Sequence, residues 1–500
     1  MGESINSVTD IHRHGALSLA AKEDVPRYLG LRNKSLGPWA VLGQSLANIG
    51  ASDAPLVSIP VVAAIAGSGT WLSFLLATIG VVLVAFNINA FACDSSGTAS
   101  LNDYIARSLG PTAGVLGGWA LAIAYIGCAA ACLPLFVYFL NSLTVPLHLH
   151  FSPLPFSIAL LVSAWYCARK DVRLSTHLVL GIEFSAMAVG ISLAAAILFK
   201  HGRHVDVSQF QFHNLSFTAI GLGSVLAFMS TVGFESAASL GDEARKPLQS
   251  IPRAMIASSI IAGLYYVLHA YAMVAGFRGL AVRLVDSQTP ALDVARAHGV
   301  AFLVLLLTTT GLVSCFAIVL ASINAGARTL FLLARHGVLP ASFHSIHPRN
   351  HTPSVAITTA SLITLLVAVP LVAAGVPARD IWGYVGSVCT FGFLTAYLLI
   401  AIGTPFYLHR QGRLKTWNVL VSALATLVVL VPFAASLYPV PPYPQNLMIY
   451  IFAGLILSGV GWFLFLRIRR PAIVDEIRMH LEDNYDRFAI ERAAQSDAAL

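Results

Sequence analysis

The chain has 500 residues, of which 57% are hydrophobic and only 11% are charged, and its formal net charge is +7. A soluble domain carries about a quarter charged residues, so this composition excludes an ordinary soluble enzyme and a disordered chain. The length suits about twelve membrane helices of roughly twenty residues each. The basic residues lie at the edges of apolar runs, as membrane topology requires, and a nucleic-acid partner is not expected.

The apolar runs predict an all-α polytopic membrane protein with twelve spans. Residues 1–36 are polar and contain no apolar stretch, so we expect an N-tail without a cleavable signal peptide. Span 4 is the shortest of the twelve. The predicted spans, numbered 1 to 12, are residues 38–62, 71–92, 113–141, 155–168, 175–199, 215–240, 251–277, 299–334, 352–375, 380–409, 416–438 and 446–468.

The distribution of basic residues predicts the orientation. Twelve spans place both tails on one side, and 24 of the 30 Lys and Arg residues then fall in the tails and loops of that side. The positive-inside rule therefore predicts a multi-pass protein of the plasma (inner) membrane with both termini cytoplasmic. The other six basic residues lie in the predicted outer loops: Lys200, Arg203, Arg278, Arg283, Arg296 and Arg379.

The predicted organisation has four parts: an N-tail at 1–36, a transport core at 37–410, spans 11 and 12 at 411–468, and a C-tail at 469–500. The C-tail carries apolar residues at helical spacing, which predicts a short surface helix. These are Ile473, Ile477, Leu481 and Tyr485.

Two spans are interrupted in the middle. Span 1 contains Gly50, Asp53 and Pro55, and span 6 contains Gly233 followed by Glu235. The two spans are five apart, which is typical of transporters built from inverted repeats, here about 38–199 and 215–409. Broken helices offer free N–H groups to an anion and free carbonyls to a cation, so the pattern suits a zwitterionic solute.

The sequence around the second interruption resembles a known family. Phe228 to Ala238 (FMSTVGFESAA), followed by DEARKP at 242–247 and IPRA at 251–254, resembles the sixth-span signature of the amino acid–polyamine–organocation (APC) permeases. The segment RTLFLLARHGVLP at 328–340 and Tyr397 also fit, and the resemblance covers roughly residues 36–410. It implies a leucine-transporter-like fold of five plus five inverted spans with two more appended. It also implies secondary transport of amino acids or related amines, without a cofactor.

In such permeases the substrate lies between the two interruptions, and this resemblance supplies the candidate binding residues. Asp53 departs from the family, because many relatives carry a Gly-small-Gly stretch there, whose N–H groups bind the substrate carboxylate. An aspartate facing the cavity would instead suit an ammonium group; otherwise Asp53 points away and the preceding residues supply the N–H groups. The candidates are Gly50, Ala51, Ser52, Asp53, Met229, Thr231, Val232, Gly233 and Phe234.

Two further carboxyl groups lie inside predicted spans, where a charged group is costly and needs a role or a partner. Glu235 follows the interruption in span 6, where the resemblance implies gating or proton sensing; the alternative is a neutral side chain that caps freed backbone groups. Glu183 in span 5 stands near a position where several sodium-independent relatives have a lysine. It either carries a proton or helps to ligate a cation, or it is a protonated group bonded to a neighbouring helix.

These observations predict a secondary permease that moves amino acids by alternating access, with coupling to protons through Glu183 or Glu235. An amine or polyamine carrier and an amino acid exchanger are the alternatives. Ser314, Ser322 and Asn324 in span 8 are weaker candidates for a sodium site, since such residues more often join helices. The sequence contains no nucleophile elbow, phosphate-binding loop or metal-ligand motif, so neither an enzyme nor a metal site is predicted.

Overall fold

The computed structural model describes residues 36–51, 55–95, 100–144, 148–170, 172–201, 206–211, 217–280, 284, 287 and 290–488. Over these residues the chain is built from helices, and the β-structure is limited to an isolated parallel bridge between Leu36 and Ala244. The α-helices, numbered in chain order, are α1 Pro38–Ile49, α2 Ser58–Ala66, α3 Thr70–Ala92, α4 Ser100–Leu109, α5 Pro111–Thr144, α6 Pro153–Lys170, α7 Val172–His201, α8 Phe217–Thr231, α9 Pro247–Gly276, α10 Pro290–Ala297, α11 Ala301–Arg335, α12 Ser354–Ala373, α13 Ala378–Arg410, α14 Thr416–Leu437, α15 Met448–Arg469 and α16 Ile473–Arg487.

The helices confirm the predicted all-α polytopic class. Ten described segments are long and apolar enough to cross a membrane. Two of the twelve predicted spans are not counted separately. Span 1 is split into the short helices α1 and α2, and α2 is counted together with α3. The 18-residue α6, which ends in Arg169 and Lys170, is also not among the ten. Each predicted span nevertheless coincides with helical structure.

Both predicted interruptions are present, and a glycine with positive φ stands at each. α1 ends at Ile49, and Gly50 follows with φ of 66°. α8 ends at Thr231, and Gly233 has φ of 99° before a 3₁₀ helix runs from Phe234 to Glu243. Glycine adopts this conformation without the steric cost that a β-carbon brings, so an apolar helix can stop in mid-membrane at these two points.

In the core of the bundle, α5 packs extensively against both α11 and α13, and it approaches each of them closely at small residues. A β-carbon built on Gly392 of α13 would lie 2.5 Å from the carbonyl oxygen of Ala120 in α5. A β-carbon on Gly127 of α5 would lie 3.0 Å from Cβ of Cys389. Membrane helices lack a hydrophobic driving force between them, so they associate through such tight van der Waals contacts.

The start of α1, the C-tail helix α16 and several other helix ends lie on one side of the bundle, which we call the tail face. The amide of Leu36 donates to the carbonyl of Glu243 at 2.8 Å, and Arg413 Nη1 donates to Asp94 Oδ2 at 2.8 Å. The hydroxyl of Thr352 donates to the carbonyl of Arg169 at 3.0 Å. These contacts tie together the ends of six predicted spans.

The predicted C-tail helix is present as α16 and packs against the tail face. Ile473 and Ile477 are fully buried in a cluster with Leu333 and Phe463. Nearby, burial and the charges of His480 and Arg335 lower the pKa of His336 to about 3. His336 is therefore neutral near pH 7, and its 3.7 Å approach to Asp103 is not an ion pair.

We expect Gly392→Ala to destabilise the bundle, because the added methyl group would force α13 away from α5. Overpacking of this kind costs about 1–3 kcal/mol of unfolding free energy. Gly383→Ala on the same helix is the matched control, since a β-carbon there meets no atom within 4 Å. Thermal unfolding of the purified protein in detergent measures both. Equal melting temperatures for the two variants would contradict the predicted contact.

Candidate functional site

The two interrupted spans touch each other at their breaks. A β-carbon built on Gly233 would lie 2.5 Å from Nδ2 and 2.9 Å from the carbonyl oxygen of Asn48. Asn48 is in the last turn of α1, and its Oδ1 accepts a hydrogen bond of 2.7 Å from Ser322 in α11. Only glycine fits at position 233 in this arrangement, both for its φ and for the space.

Side chains of each broken span also bond the backbone of the other. The hydroxyl of Ser45 donates to the carbonyl of Phe234, and the hydroxyl of Ser236 donates to the carbonyl of Gln44 at 3.1 Å. Gln44 in turn donates through Nε2 to the carbonyl of Ala321 in α11 at 3.1 Å. All five residues are buried. Polar groups inside a bilayer need partners within the protein, and these bonds supply them.

A cavity of about 40 Å³ lies beside this junction. It holds only about three water molecules, whereas pockets for small-molecule ligands are about 300 Å³ or larger. The cavity as described is therefore too small for such a ligand. Met229 occupies the space next to Gly386, since its Cε lies 2.1 Å from where a β-carbon on that glycine would be. The cavity is lined by Asn48, Ile49, Ser58, Cys128, Ala131, Cys132, Met229, Ser230, Val232, Tyr266, Ile318, Trp382, Gly386 and Cys389.

The described walls of the cavity carry no charged side chain. Three thiols, from Cys128, Cys132 and Cys389, lie next to aliphatic and aromatic side chains. Tyr266 also lines the cavity, and its hydroxyl donates to the carbonyl of Ser230 at 2.6 Å. Polarisable sulfur atoms and apolar groups suit an apolar side chain better than a charged one.

Glu235, in the first turn of the 3₁₀ helix after the break, is bound by two tyrosines. Tyr125 in α5 donates to its Oε1 at 2.7 Å, and Tyr397 in α13 donates to its Oε2. The amide of Gly233 also donates to the Tyr397 hydroxyl at 3.2 Å. The ring of Phe234 packs against Tyr397 with centroids 5.2 Å apart. A single buried carboxyl group thus joins spans 3, 6 and 10.

Glu183 lies elsewhere, between α7 and α11. It is fully buried, and its Oε2 accepts a hydrogen bond of 2.8 Å from Ser314. One turn earlier on α7, Leu180 packs against α1, where a β-carbon on Gly43 would lie 2.7 Å from its Cβ. Glu183 is therefore held at the contact of α7 with α11, close to where α1 also meets α7.

A buried ion pair lies on the tail-face side. Arg328 in α11 donates through Nη2 to both carboxylate oxygens of Glu243, at 2.8 Å and 2.7 Å. Its Nη1 donates to the carbonyl of Asn324 at 3.1 Å. Arg328 is only 1% exposed and Glu243 is fully buried. The pair joins the end of span 6 to span 8. The start of α1 lies beside it, because the amide of Leu36 donates to the carbonyl of Glu243.

A family model, described as amino acid permease, matches residues 42–473 of the chain. The chain belongs to the amino acid permease family. This membership and the apolar helices identify a multi-pass membrane transport protein of the APC superfamily, as the sixth-span resemblance predicts.

Several relatives cover most of the chain. It is similar to the branched-chain amino acid permease BcaP of Lactococcus lactis, with 23% identity over 439 residues, 81% of this chain and 86% of the relative. It is similar to the BcaP protein of Bacillus subtilis, with 21% identity over 421 residues, 80% of this chain and 83% of the relative. A shorter match, 25% identity over 180 residues, is to a mitochondrial cationic amino acid transporter of Arabidopsis thaliana and covers 36% of this chain and 28% of the relative.

Most of the predicted substrate residues lie at or near the junction. Met229 and Val232 line the cavity, while Gly50, Gly233 and Phe234 form the breaks and their packing. Ala51 is fully buried, and Thr231 donates to the carbonyl of Phe228 in its own helix. Neither of the last two lines the cavity. The predictions for Ser52 and Asp53 fall outside the described residues.

Several residues at the site are absent from the predicted set. The cavity cysteines look like small packing residues in the sequence, where Cys128 and Cys132 flank a run of alanines. Tyr125 has no sequence signal, because span 3 is apolar on all sides. Tyr397 is part of the family resemblance, and its bond to Glu235 gives it a place in the site.

We expect the buried Glu243–Arg328 pair to dominate the stability of the tail face. Removal of one partner leaves a buried charge and typically costs about 3–5 kcal/mol. Glu243→Gln and Arg328→Gln should therefore each lower the melting temperature strongly, and the double variant should be less destabilised than the two losses summed. Asp94→Asn breaks the pair with Arg413, which is more than half exposed, and should have a small effect. Additive losses for Glu243 and Arg328 would contradict the pairing.

Proposed function

We propose that the protein is a secondary permease that carries neutral amino acids with apolar side chains across the plasma (inner) membrane by alternating access. The observation that carries this proposal is the cavity at the junction of the two broken spans, whose described walls are uncharged and rich in aliphatic and sulfur-containing side chains. The similarity to branched-chain amino acid permeases supports the same substrate class.

In this proposal the two ends of the amino acid are bound differently. The ammonium and carboxylate groups of the substrate lie at the broken helix ends near Gly50 and Gly233, since helix ends carry partial charges of opposite sign. The apolar side chain occupies the region of Met229, Cys128 and Cys389. Met229 must leave the space above Gly386 for a substrate to enter, and methionine has the flexible side chain that such a movement needs.

We interpret the small cavity as a closed state of the transport cycle, in which two barriers separate the cavity from the tail face. The first is Glu235 with its two tyrosines, and the second is the Glu243–Arg328 pair. Opening toward the tail face requires both to separate, because each joins span 6 to a different neighbour. The positive-inside bias predicts that the tail face is the cytoplasmic one, so in this proposal the closed barriers face the cytoplasm.

We assign proton coupling to Glu183 or Glu235. Each is a fully buried carboxyl group within hydrogen-bonding distance of hydroxyls. A hydroxyl can both donate and accept, so each site can hold the group in its ionised or its protonated form by reorienting a partner. A proton carried by such a group would link the pH gradient to the change of access.

Uptake into proteoliposomes tests the proposed substrate class. We expect an inward proton gradient to drive accumulation of labelled leucine, isoleucine and valine, and a protonophore to abolish it. Lysine, putrescine and spermidine should not accumulate. Uptake restricted to amines would instead identify an amine carrier and make Asp53 the ammonium site. Flux seen only in vesicles preloaded with amino acid would identify an exchanger and contradict proton-driven uptake.

The coupling residue is identified by separating accumulation from exchange. If Glu183 carries the proton, Glu183→Gln should reduce the accumulation ratio of leucine to about one, while counterflow from preloaded vesicles continues. Glu235→Gln is tested in parallel, and Glu482→Gln on α16 controls for loss of a carboxyl group outside the spans. Unchanged accumulation in Glu183→Gln would exclude Glu183 as the coupling residue. Unchanged accumulation in both variants would exclude both residues and contradict the proposed coupling.

Asp53 is tested separately. If the substrate is a neutral amino acid and Asp53 does not bind its ammonium group, Asp53→Asn should retain leucine binding within a few-fold of the parent protein. Isothermal titration with leucine measures the affinity of both proteins. A loss of binding with an unchanged melting temperature would show that Asp53 contacts the substrate.

A further inference from the structure

A groove of about 530 Å³ lies on the tail face, where the beginning of α1 meets the beginning of α9, away from the substrate cavity. One wall consists of Leu36, Trp39 and Leu42. Trp39 is 67% exposed, although α1 is otherwise almost completely buried. An exposed tryptophan at the end of a membrane helix is typical of the interface between water and lipid.

The opposite wall of the groove carries three cations, Arg245, Lys246 and Arg253. All three are exposed, and none of them forms an ion pair with a described acidic side chain. The positive-inside rule accounts for basic residues on this face of the protein, but it does not require three of them on one wall of one groove. The wall therefore presents a concentrated positive charge that lacks a partner among the residues the structure describes.

The surface of α9 changes from charged to apolar along a single stripe. Lys246, Arg253 and Ala257 line the groove at helical spacing, so they follow one another on the same face. The stripe continues with Ile261 and Leu264, which are 36% and 63% exposed. A cationic end followed by an exposed aliphatic strip matches the order of groups in a phospholipid, which has an anionic headgroup above its acyl chains.

A second groove of similar size offers a comparison within the same molecule. It is about 550 Å³ and includes Arg413 and Lys415. Its arginine, however, is already bound by Asp94 at 2.8 Å. Lys415 is then the one cation of this second groove that forms no ion pair with a described acidic side chain, whereas the groove beside Trp39 has three such cations.

From these contacts we infer that the groove between α1 and α9 binds an anionic glycerophospholipid. The phosphate lies against Arg245, Lys246 and Arg253, the glycerol region lies beside Trp39, and an acyl chain follows Ala257, Ile261 and Leu264. Basic pockets between membrane helices at the cytoplasmic surface bind anionic lipid headgroups by electrostatic attraction. The apolar strip adds a hydrophobic contact with the acyl chain, which a soluble anion cannot make.

The test uses the full-length protein, delipidated in detergent, with phosphatidylglycerol and phosphatidylcholine as probes. Native mass spectrometry counts bound lipids of each kind across a titration. We expect phosphatidylglycerol to bind at least tenfold more tightly than phosphatidylcholine, and the variant Arg245→Gln/Lys246→Gln/Arg253→Gln to lose this preference. The control Lys170→Gln/Arg467→Gln/Arg469→Gln removes three exposed basic residues at the ends of α6 and α15 and should keep it.

Three results would overturn the proposal: equal affinity for the two lipids, an unchanged preference in the groove variant, or an equal loss in the control. Glycerol 3-phosphate distinguishes a lipid from a soluble anion, since it should fail to displace phosphatidylglycerol at equal concentration; efficient displacement would contradict a lipid site. Because the three cations are exposed, the melting temperature of the groove variant in phosphatidylcholine should equal that of the parent. A large decrease would show that the cations serve the fold instead.

Discussion

The contact between Gly233 and Asn48 is the constraint on which the rest of the structure depends. A helix broken inside a membrane frees backbone groups that hydrocarbon cannot satisfy. Here two such breaks lie against each other, with no room for a β-carbon at position 233. Ser45 and Ser236 then bond across the junction, and Ser322 anchors Asn48 to α11. The cavity, the tyrosine-bound carboxylate and the tail-face ion pair are all arranged around this junction.

In the proposed closed state, span 6 is bonded to four different partners. Glu235 binds α5 and α13 through tyrosines, Glu243 binds α11 through Arg328, and the Glu243 backbone binds Leu36. The 3₁₀ helix from Phe234 to Glu243 is therefore attached at both ends. A movement that opens the tail face must break several of these contacts together, which is the behaviour expected of a two-state gate.

The sequence predicts the architecture well because its strongest signals are local. Gly50 and Gly233 stand within long apolar runs, and each breaks its helix where predicted. The apolar spacing of Ile473 and Ile477 correctly predicts α16. These outcomes depend on hydropathy, helical period and the conformational freedom of glycine, all of which can be read along the chain.

The walls of the cavity could not be predicted in the same way. Spans 3 and 10 are apolar on every side, so periodicity does not show which residues face inward. Cys128 and Cys389 therefore look like packing residues, although both line the cavity. The pairing of Glu243 with Arg328 joins residues 85 positions apart and depends on the tertiary arrangement of spans 6 and 8. Tyr397 is part of the family resemblance, but its bond to Glu235 was not predicted.

The central claim, that the substrate occupies the cavity at the junction, is tested most directly by thiol labelling. Cys128, Cys132 and Cys389 line this cavity, while Cys167 lies on α6, outside it. Alkylation of each cysteine by a small membrane-permeant reagent is measured by mass spectrometry, with and without saturating leucine. The account predicts that leucine slows alkylation of the three cavity cysteines and leaves Cys167 unchanged. Identical alkylation of the cavity cysteines with and without leucine, in protein that transports leucine, would contradict it.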